Sequence, residues 1–450
     1  MGVLQHLSDL IRLNRHFYHQ TPRQLARYQT RAVLELLARV RRESPFYAEY
    51  FAGYPVTSLD DYRHLPTLDK NIMMAQFDRL NTAGLSLHDV MAFALAKEEA
   101  RDYLGYYRDR FVVGLSSGTS GNKGIYITDK ALTRRLPGVF LARGGVRLSD
   151  LPLRILFILR VFSQGFADIN APLIRLRYLS SMSEPEAILT AMNEMKANLL
   201  MAPPSLLRQL LPLAGQIACP PRRIITYAEV LTPEEKIRLV QAFRAPVVEL
   251  YQASEGQIAS PCRCGNLHIN EDLVYVELFA EDKTTPLTEP GRRSGRMLVT
   301  NLVNTVQPLL RYEMNDLIEL GPPCPCGSCY RVVQRIIGRQ DDVLYLKTHS
   351  GRLRPVYPDL FSRWIITTDD QIREFTVDQD ATDHLTVTLD LTAPPAQNET
   401  RIKRLQERLA GELAVYDISC AITVRVEAIR LPADNRKLKR FISRAPDSLQ

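Results

Sequence analysis

Between residues 110 and 320, short runs rich in β-branched and aromatic residues alternate with segments of helical period. The β-type runs include RILFIL and RRIITYA, and the helical segments include EPEAILTAMNEMKAN and TPEEKIRLVQAFR. Neighbouring parallel strands need a crossover connection of about a dozen residues or more, which is usually a helix. The alternation therefore predicts an α/β fold, in which a mainly parallel sheet is flanked by helices.

The length of the chain requires more than one hydrophobic core, because single cores stop growing at roughly 250–300 residues and this chain has 450. The first hundred residues have a helical pattern, with Leu25, Tyr28, Ala32, Leu36 and Val40 on one apolar face. After residue 340, strand-like REFTVD and HLTVTLDL precede the helical run ETRIKRLQERLAGELAVY. We predict a helical N-terminal lobe of the large domain at 1–105, an α/β core at 106–339, and a small α+β C-terminal domain at 340–450.

The charge balance favours anionic partners. The chain carries 57 Lys and Arg against 50 Asp and Glu, with a net charge of +7 and a pI near 9.0, so phosphorylated cofactors and nucleic acid are both candidates. The most apolar stretch, at 151–162, contains Arg154 and Arg160 and is shorter than the roughly 20 residues of a membrane span. Charges near the N-terminus also interrupt the apolar region that a signal peptide needs. We expect a cytoplasmic protein without a membrane span.

The strongest local motif is the loop GLSSGTSGNKG at 114–124, which directly follows the strand-like FVV. Four glycines and four hydroxyl residues in eleven positions let backbone N–H groups turn toward an anion. The hydroxyl groups and Lys123 offer further donors to phosphate oxygens. The spacing is neither that of a Walker loop nor that of the dinucleotide fingerprint. The loop therefore indicates phosphate binding, and a Ser/Gly-rich loop without a ligand is the alternative.

Five of the seven cysteines lie in two tight clusters, Cys262/Cys264 and Cys324/Cys326/Cys329. In a reducing cytosol, clustered cysteines indicate a metal site rather than disulfides. Zinc needs four N or S ligands in a tetrahedron, and the two segments can supply them only if the fold brings them together. The alternative is a set of reduced thiols without a metal.

Five segments in the same order resemble motifs of the adenylate-forming superfamily of acyl-CoA synthetases, peptide-synthetase adenylation domains and luciferases. They are the loop SSGTSGNKG, YQASE at 251–255, RYEMND at 311–316, GRQDD at 338–342, and the tail NRKLKR at 435–440. The phenylacetate-CoA ligase branch is the most similar, since SPFYAEYF, LPTLDK, YAEVLTPEE, LHINEDL and PLLRYEMNDL read like its sequences. The resemblance covers nearly the whole chain, and an ordered set of motifs is far more specific than any one of them.

The resemblance implies a nucleotide site. The Ser/Gly-rich loop would hold the β- and γ-phosphates of ATP, and Tyr251 would stack on the adenine. Ala228 and Glu229 would line the adenine pocket. Asp316 would accept hydrogen bonds from the ribose hydroxyls, and Glu255 would help to hold Mg²⁺, a hard cation that prefers carboxylate oxygens. The residues implied to bind the nucleotide are Ser116, Ser117, Gly118, Thr119, Ser120, Gly121, Lys123, Ala228, Glu229, Tyr251, Asp316 and Arg339.

The resemblance also implies the catalytic residues Lys437, Glu255 and Arg339. Lys437 matches the lysine that bridges the substrate carboxylate and the α-phosphate, where it stabilises charge as the acyl-adenylate forms. The tail departs from the pattern of the superfamily, because Arg436 stands where a glycine is usual. Lys439 is a rival for the catalytic role.

The same branch carries a Cys-x-x-Gly-x-Leu-His segment, which CRCGNLH at 262–268 matches. On this basis the predicted ligands of a structural Zn²⁺ are Cys262, His268, Cys324 and Cys326. Cys264 and Cys329 are the alternates. A closed site with four protein ligands has no open position for catalysis. We therefore expect the zinc ion only to hold the loop that precedes the GRQDD segment to the body of the protein.

By this resemblance, the chain activates a carboxylic acid with ATP, releases pyrophosphate, and passes the acyl group to a thiol, most simply coenzyme A. The C-terminal domain would act as a mobile lid that rotates about Asp341 and Asp342 between the two steps. The branch favours an aryl or arylacetic acid. An amine, a protein or another acceptor in place of coenzyme A is the first alternative, and a homodimer is the candidate assembly.

A zinc-containing nucleic-acid-binding protein is the remote alternative, supported by the pI, the basic tail and the cysteine clusters. Against it, the basic residues are not interleaved with aromatic residues and no known nucleic-acid-binding module is present. We therefore expect no nucleic-acid partner.

Overall fold

The computed structural model describes residues 3–100, 102, 104–115, 124–159, 164–180, 183–369, 371–392, 398–429 and 438–443. The predicted phosphate-binding residues at 116–121 and 123 lie outside the described residues, as do Arg436 and Lys437. Below, residues 3–339 are called the N-terminal part and residues 344–443 the C-terminal unit. Among the described residues, no helix is long and apolar enough to cross a membrane.

The first hundred residues form a helical lobe, as predicted. The longest helix begins with a capping box, in which the Thr21 side chain accepts from the Gln24 backbone N–H and the Gln24 side chain accepts from the Thr21 backbone N–H. Its predicted apolar face is buried at Leu25, Leu36 and Val40. The helices are α1 (Val3–His19), α2 (Pro22–Glu43), α3 (Pro45–Tyr50), α4 (Leu59–Tyr62), α5 (Lys70–Ala75), α6 (Phe77–Leu80) and α7 (Leu87–Glu99).

A parallel sheet follows, and it confirms the predicted α/β class. An antiparallel hairpin, β1 (Phe111–Leu115) and β2 (Ile125–Asp129), precedes it and flanks the predicted phosphate loop. The order in the parallel sheet is β4-β3-β5-β6-β7. Its strands are β3 (Leu153–Leu159), β4 (Ile174–Ser180), β5 (Leu199–Met201), β6 (Arg223–Thr226) and β7 (Val247–Glu249). The accompanying helices are α8 (Lys130–Thr133), α9 (Leu136–Arg143), α10 (Gln164–Ala167), α11 (Pro185–Met195), α12 (Pro204–Leu210) and α13 (Pro233–Phe243).

From residue 251 onward the sheets of the N-terminal part are antiparallel, so the prediction of a mainly parallel sheet through residue 320 is wrong for this segment. The physical reason is the connections, which contain turns and loops but no helix that could return the chain to a parallel neighbour. One sheet has the order β14-β15-β10-β9-β8 and another β11-β12-β13. The strands are β8 (Tyr251–Ala253), β9 (Gly256–Pro261), β10 (Leu267–Ile269), β11 (Val274–Phe279), β12 (Arg296–Asn301), β13 (Tyr312–Met314), β14 (Asp316–Gly321) and β15 (Val332–Arg339).

The C-terminal unit has the predicted α+β pattern and a hydrophobic core of its own, which includes Phe361, Val387 and Leu409. Its four-stranded sheet has the order β20-β19-β18-β21, and β21 pairs in parallel with β18. A short 3-10 helix, Gln340–Asp342, joins it to β15. Its elements are β16 (Leu344–Lys347), β17 (Leu353–Val356), α14 (Pro358–Thr368), β18 (Ile372–Ala381), β19 (His384–Leu391), α15 (Asn398–Val415), β20 (Ala421–Val426) and β21 (Phe441–Ile442).

Candidate active site

A cavity of about 1590 Å³ is lined by residues from both the N-terminal part and the C-terminal unit. It lies where the carboxyl ends of the parallel strands β6 and β7 are followed by Tyr227 and Leu250, at the edge where α/β sheets bind ligands. The described residues that were predicted to bind nucleotide or Mg²⁺ all line this cavity: Ala228, Glu229, Tyr251, Glu255, Asp316 and Arg339. Residues far apart in the sequence are therefore brought to one site.

Asp316 is at the centre of a polar group in this cavity. Asp316 and Arg339 are paired across β14 and β15, and their Oδ1 and Nε atoms are 3.7 Å apart. The Tyr251 hydroxyl donates to Asp316 Oδ2 at 2.7 Å. Burial opposes the charge on Arg339, but Asp316 and the nearby hinge carboxylates raise its pKa above the usual range. The arrangement leaves a cation beside an aromatic ring and a carboxylate that can accept further hydrogen bonds.

Glu255 follows β8 and faces the same cavity. Its Oε1 accepts from the Tyr126 hydroxyl at 2.7 Å, and its backbone oxygen accepts from Asn301 Nδ2 at 2.7 Å. Burial raises the pKa of Glu255 above its usual value, although the Tyr126 hydrogen bond opposes the shift. A bound divalent cation would favour the charged carboxylate, so the residue fits a cation ligand held in place by its neighbours.

Lys70 is a cavity residue that our sequence analysis did not identify as functional. It is the first residue of α5, where the Asp69 side chain caps the helix by accepting from Ile72 N at 2.7 Å. Burial lowers the pKa of Lys70, and the negative charge of Glu255 opposes that shift. The capping aspartate can be recognised in the sequence. The position of Lys70 in the cavity cannot, because most of the residues that line the cavity lie beyond position 200 and only the tertiary structure brings them to Lys70.

The carboxylate of Glu229 is already bound by protein groups. Ala228 adopts a left-handed conformation with a φ of 67°, and Glu229 follows it. Glu229 accepts from Ser205 N at 3.0 Å, from Ser205 Oγ at 2.8 Å and from Arg440 Nη2 at 3.1 Å. Burial disfavours the charged form, but Arg440 and the other donors outweigh it and lower the pKa of Glu229 to about 2. Its contact with adenine stays a prediction.

The hinge predicted at Asp341 and Asp342 is next to the same cavity, and Lys439 also lines it. Burial and the charge of Asp341 raise the pKa of Asp342 to about 7. Arg339 and Lys439 oppose this rise, and Asp316 adds to it. Because Lys437 is outside the described residues, the choice between Lys437 and Lys439 as the catalytic lysine stays open here.

Asp342→Asn is expected to stabilise the protein progressively as the pH rises. Because of the raised pKa, the folded protein binds a proton at Asp342 between about pH 4 and 7 that the unfolded chain does not bind. The free energy of unfolding of the wild type therefore falls as the pH rises through this range, and above about pH 7 the whole loss of stability remains. The asparagine variant should avoid about 1–3 kcal/mol of this cost. Urea unfolding at pH 5 and pH 8 measures the difference, with the exposed Glu407→Gln as the control. A variant-minus-wild-type difference that is the same at both pH values would contradict the assignment.

The four predicted zinc ligands meet in a second cluster, and their ligand atoms all lie within 4.8 Å of one another. Cys262 Sγ and Cys324 Sγ are 3.7 Å apart, and Cys326 Sγ and His268 Nε2 are 3.6 Å apart. A tetrahedron with Zn–S and Zn–N bonds of about 2.3 and 2.1 Å has edges of about 3.8 and 3.6 Å, so the spacing fits this metal. His268 Nδ1 is 2.9 Å from the backbone oxygen of Tyr330, which leaves Nε2 for a metal.

The pairing of β10 with β15 brings the two cysteine segments together, since His268 lies opposite Val332. Cys262 and Cys326 pack with Phe17 of α1 in one small apolar cluster. The alternate thiols Cys264 and Cys329 are outside the group of four, and Cys264 is exposed. The cluster therefore connects the N-terminal helix to the antiparallel sheet.

No protein-family model matches the chain. The phenylacetate-coenzyme A ligase of Aromatoleum evansii is 25% identical over 284 residues, which are 59% of this chain and 62% of that ligase, so the match spans less than two thirds of the relative's length. The crystal structure of 2-hydroxyisobutyryl-CoA ligase with its acyl-adenylate, in the postadenylation state, superposes with a TM-score of 0.71 at 16% identity and covers 97% of this chain and 92% of that ligase. The chain has the fold of the adenylate-forming ligases.

A second solved structure supports the same fold. The anthranilate CoA ligase AuaEII, in complex with anthranoyl-AMP, superposes with a TM-score of 0.53 at 14% identity and covers 73% of this chain and 65% of that chain. The adenylate-forming ligase fold confirms the resemblance drawn from the five ordered motifs, and with it the architecture expected from them. The exact domain bounds and the roles of individual residues stay predictions.

Proposed function

We propose that this protein activates a carboxylic acid with ATP through an acyl-adenylate, releases pyrophosphate, and transfers the acyl group to the thiol of coenzyme A. One observation carries the proposal: Tyr251, Glu255, Asp316 and Arg339 come from three separate segments and meet in one cavity of an adenylate-forming ligase fold. The mixed anhydride replaces hydroxide, a poor leaving group, with AMP, a good one.

The chain's own residues divide the work of binding. Asp316 accepts hydrogen bonds from the ribose, and Arg339 offers guanidinium donors beside it. Tyr251 presents its ring to the base and keeps its hydroxyl on Asp316. Glu255, oriented by Tyr126, would hold a Mg²⁺ ion, which would neutralise phosphate charge.

An aryl or arylacetic acid is the proposed substrate class. The cavity wall beside the parallel sheet carries aromatic side chains, among them Phe140, Phe157, Phe166 and Tyr227. Phe157 and Tyr227 have ring centroids 5.4 Å apart, and Phe157 and Phe166 have centroids 4.9 Å apart. Such a wall suits a flat apolar ring, because aromatic pairs gain energy beyond simple burial.

ATP–pyrophosphate exchange with coenzyme A withheld tests the proposal. We expect exchange with at least one acid from a panel led by aryl and arylacetic acids. Adding coenzyme A should then give an acyl thioester, whereas an amine product formed from a supplied amine would replace coenzyme A as the acceptor. ATP binding without exchange for any acid in a broad panel would overturn the proposed activity.

Asp316→Asn is expected to weaken ATP binding by about 1.5–3 kcal/mol, the contribution of hydrogen bonds to a charged group. Isothermal titration with ATP and Mg²⁺ measures this loss. Tyr251→Phe keeps the ring and removes only the hydroxyl that donates to Asp316, so it should cost much less. An unchanged ATP affinity in Asp316→Asn would show that this carboxylate does not contact the ribose.

We also propose that Cys262, His268, Cys324 and Cys326 hold a structural Zn²⁺. The support is the close spacing of the four ligand atoms, with one thiol–thiol and one thiol–imidazole distance near the edges of a zinc tetrahedron, and the hydrogen bond of His268 Nδ1 to the Tyr330 backbone oxygen. We also propose a cytoplasmic location, where the environment would keep these thiols reduced. A homodimer and the absence of nucleic-acid binding stay predictions.

A further inference from the structure

Five charged side chains form a network between the N-terminal part and the C-terminal unit, called here the interdomain ion network. Two arginines alternate with three carboxylates in it. Its members are Arg208 of α12, Glu229 after β6, Glu235 of α13, Glu374 of β18, and Arg440 immediately before β21.

Arg440 joins the two parts of the molecule. Within the C-terminal unit, its Nε and Nη2 atoms donate to Glu374 Oε1 at 2.7 Å and Oε2 at 2.9 Å. Across the boundary, Nη2 also donates to Glu229 Oε2 at 3.1 Å. Arg208 also contacts both parts of the molecule. It binds Glu235 in the N-terminal part, and its Nη2 atom lies 3.4 Å from Glu374 Oε1 in the C-terminal unit. The result is an open chain of five alternating charges, which runs from Glu235 through Arg208, Glu374 and Arg440 to Glu229, rather than a single pair.

The network is largely shielded from water. The Arg208 side chain is 6% exposed and that of Glu235 2%, while those of Glu374 and Arg440 are 10% and 18% exposed. Charges at such sites are stable only while they are paired, and removing one partner leaves an uncompensated buried charge. With three carboxylates to two arginines, loss of Arg440 would leave a single cation among three anions.

The position of Arg440 in the chain connects this network to catalysis. At one end, Arg440 binds Glu229, which directly follows Ala228 in the segment that lines the nucleotide cavity. At the other end, Arg440 is three residues beyond Lys437, and β21 then pairs with β18 at Val377 and Phe441. The contact thus joins the nucleotide-side segment to the end of the tail.

We propose that Arg440 is a positioning residue, which binds Glu229 and so holds the C-terminal unit and its tail in the arrangement that forms the acyl-adenylate. This inference rests on the proposed function. Two arrangements of the unit exchange according to their free energies, and a contact made in only one of them favours that one. In the acyl-transfer step the unit would rotate about the hinge, as the resemblance implies, and that step would not need the contact.

The first test separates the two half-reactions in Arg440→Gln. We expect ATP–pyrophosphate exchange to fall about 10–100-fold, the scale of misplaced reacting groups, while ATP affinity and transfer from a supplied acyl-adenylate to coenzyme A stay near wild type. Arg440→Lys keeps the positive charge and should recover part of the exchange rate. Arg408→Gln is the matched control, because Arg408 pairs with Glu412 on the solvent-facing side of α15 in the same unit. Equal losses in both half-reactions, or no loss in either, would overturn the role of Arg440.

A second measurement does not depend on turnover. The Ser205 backbone N–H donates to Glu229, so backbone hydrogen exchange of peptides covering 203–210 and 372–380 reports on the network. Arg440→Gln should exchange faster than wild type in both peptides, and Arg408→Gln should not. Unchanged protection from hydrogen exchange in Arg440→Gln would refute the interdomain contact. A wild-type protein that adenylates no acid would refute the proposed function, but the hydrogen-exchange measurement would still test the contact.

Discussion

Lys437→Ala is expected to lower ATP–pyrophosphate exchange by about 10²–10³-fold, the usual cost of removing one group that stabilises charge in the transition state. The reason is the proposed position of its ammonium group between the substrate carboxylate and the α-phosphate, where negative charge is shared as the anhydride forms. ATP affinity should stay near normal, because this contact strengthens only during the reaction. Exchange rates at saturating ATP, together with a separate ATP titration, measure the two effects.

Lys439→Ala is the matched control for this experiment. Lys439 lines the cavity, and its charge acts on Asp342 at the hinge, whereas Lys437 is the residue that matches the lysine of the motif. We expect a much smaller loss of exchange in this variant. If Lys439→Ala abolished exchange and Lys437→Ala did not, the catalytic role would belong to Lys439.

Cys326→Ser is expected to lower zinc affinity by more than about 100-fold, since even the loss of an outer hydrogen-bond partner of a metal ligand costs 10–100-fold. Cys326 is fully buried, and its Sγ is 3.6 Å from His268 Nε2, so serine would leave the site one ligand short. With zinc in excess, a 100-fold weaker affinity removes about 2.7 kcal/mol of the metal's contribution to stability. Metal analysis of the purified protein and urea unfolding with and without a chelator measure both quantities.

The alternate thiols provide controls for the zinc prediction. Cys264→Ser and Cys329→Ser should leave zinc content and stability unchanged, because neither residue belongs to the group of four ligands. Wild-type protein purified with less than about half an equivalent of zinc would contradict the site outright. A loss of zinc in Cys264→Ser or Cys329→Ser would instead assign a different ligand set.

Several features of this protein follow from local sequence patterns. The apolar face of α2 and its Thr21 capping box could be read directly, because burial repeats with the period of a helix and caps use side chains three residues apart. The βαβ alternation predicted the parallel sheet, because it is also a pattern of neighbouring segments along the chain. The five ordered motifs led to the fold. The resemblance was enough to choose four of the six clustered cysteine and histidine positions as the predicted zinc ligands.

Other features were decided only by the tertiary structure. The antiparallel sheets after residue 251 depend on which strands pair, and their short runs are compatible with either direction. Lys70 enters the cavity because a helix of the N-terminal lobe packs beside strands from the other half of the chain.

The clearest case is Glu229. Its sequence motif predicts a residue of the adenine pocket, and nothing near it in the chain points to a cationic partner. In the folded protein its carboxylate is bound by Arg440, 211 residues away. Periodicity, capping and motif spacing are properties of neighbouring residues, so they can be read from the chain. A pairing between distant charges leaves no periodic trace, and only the packing of the C-terminal unit against the N-terminal part determines it.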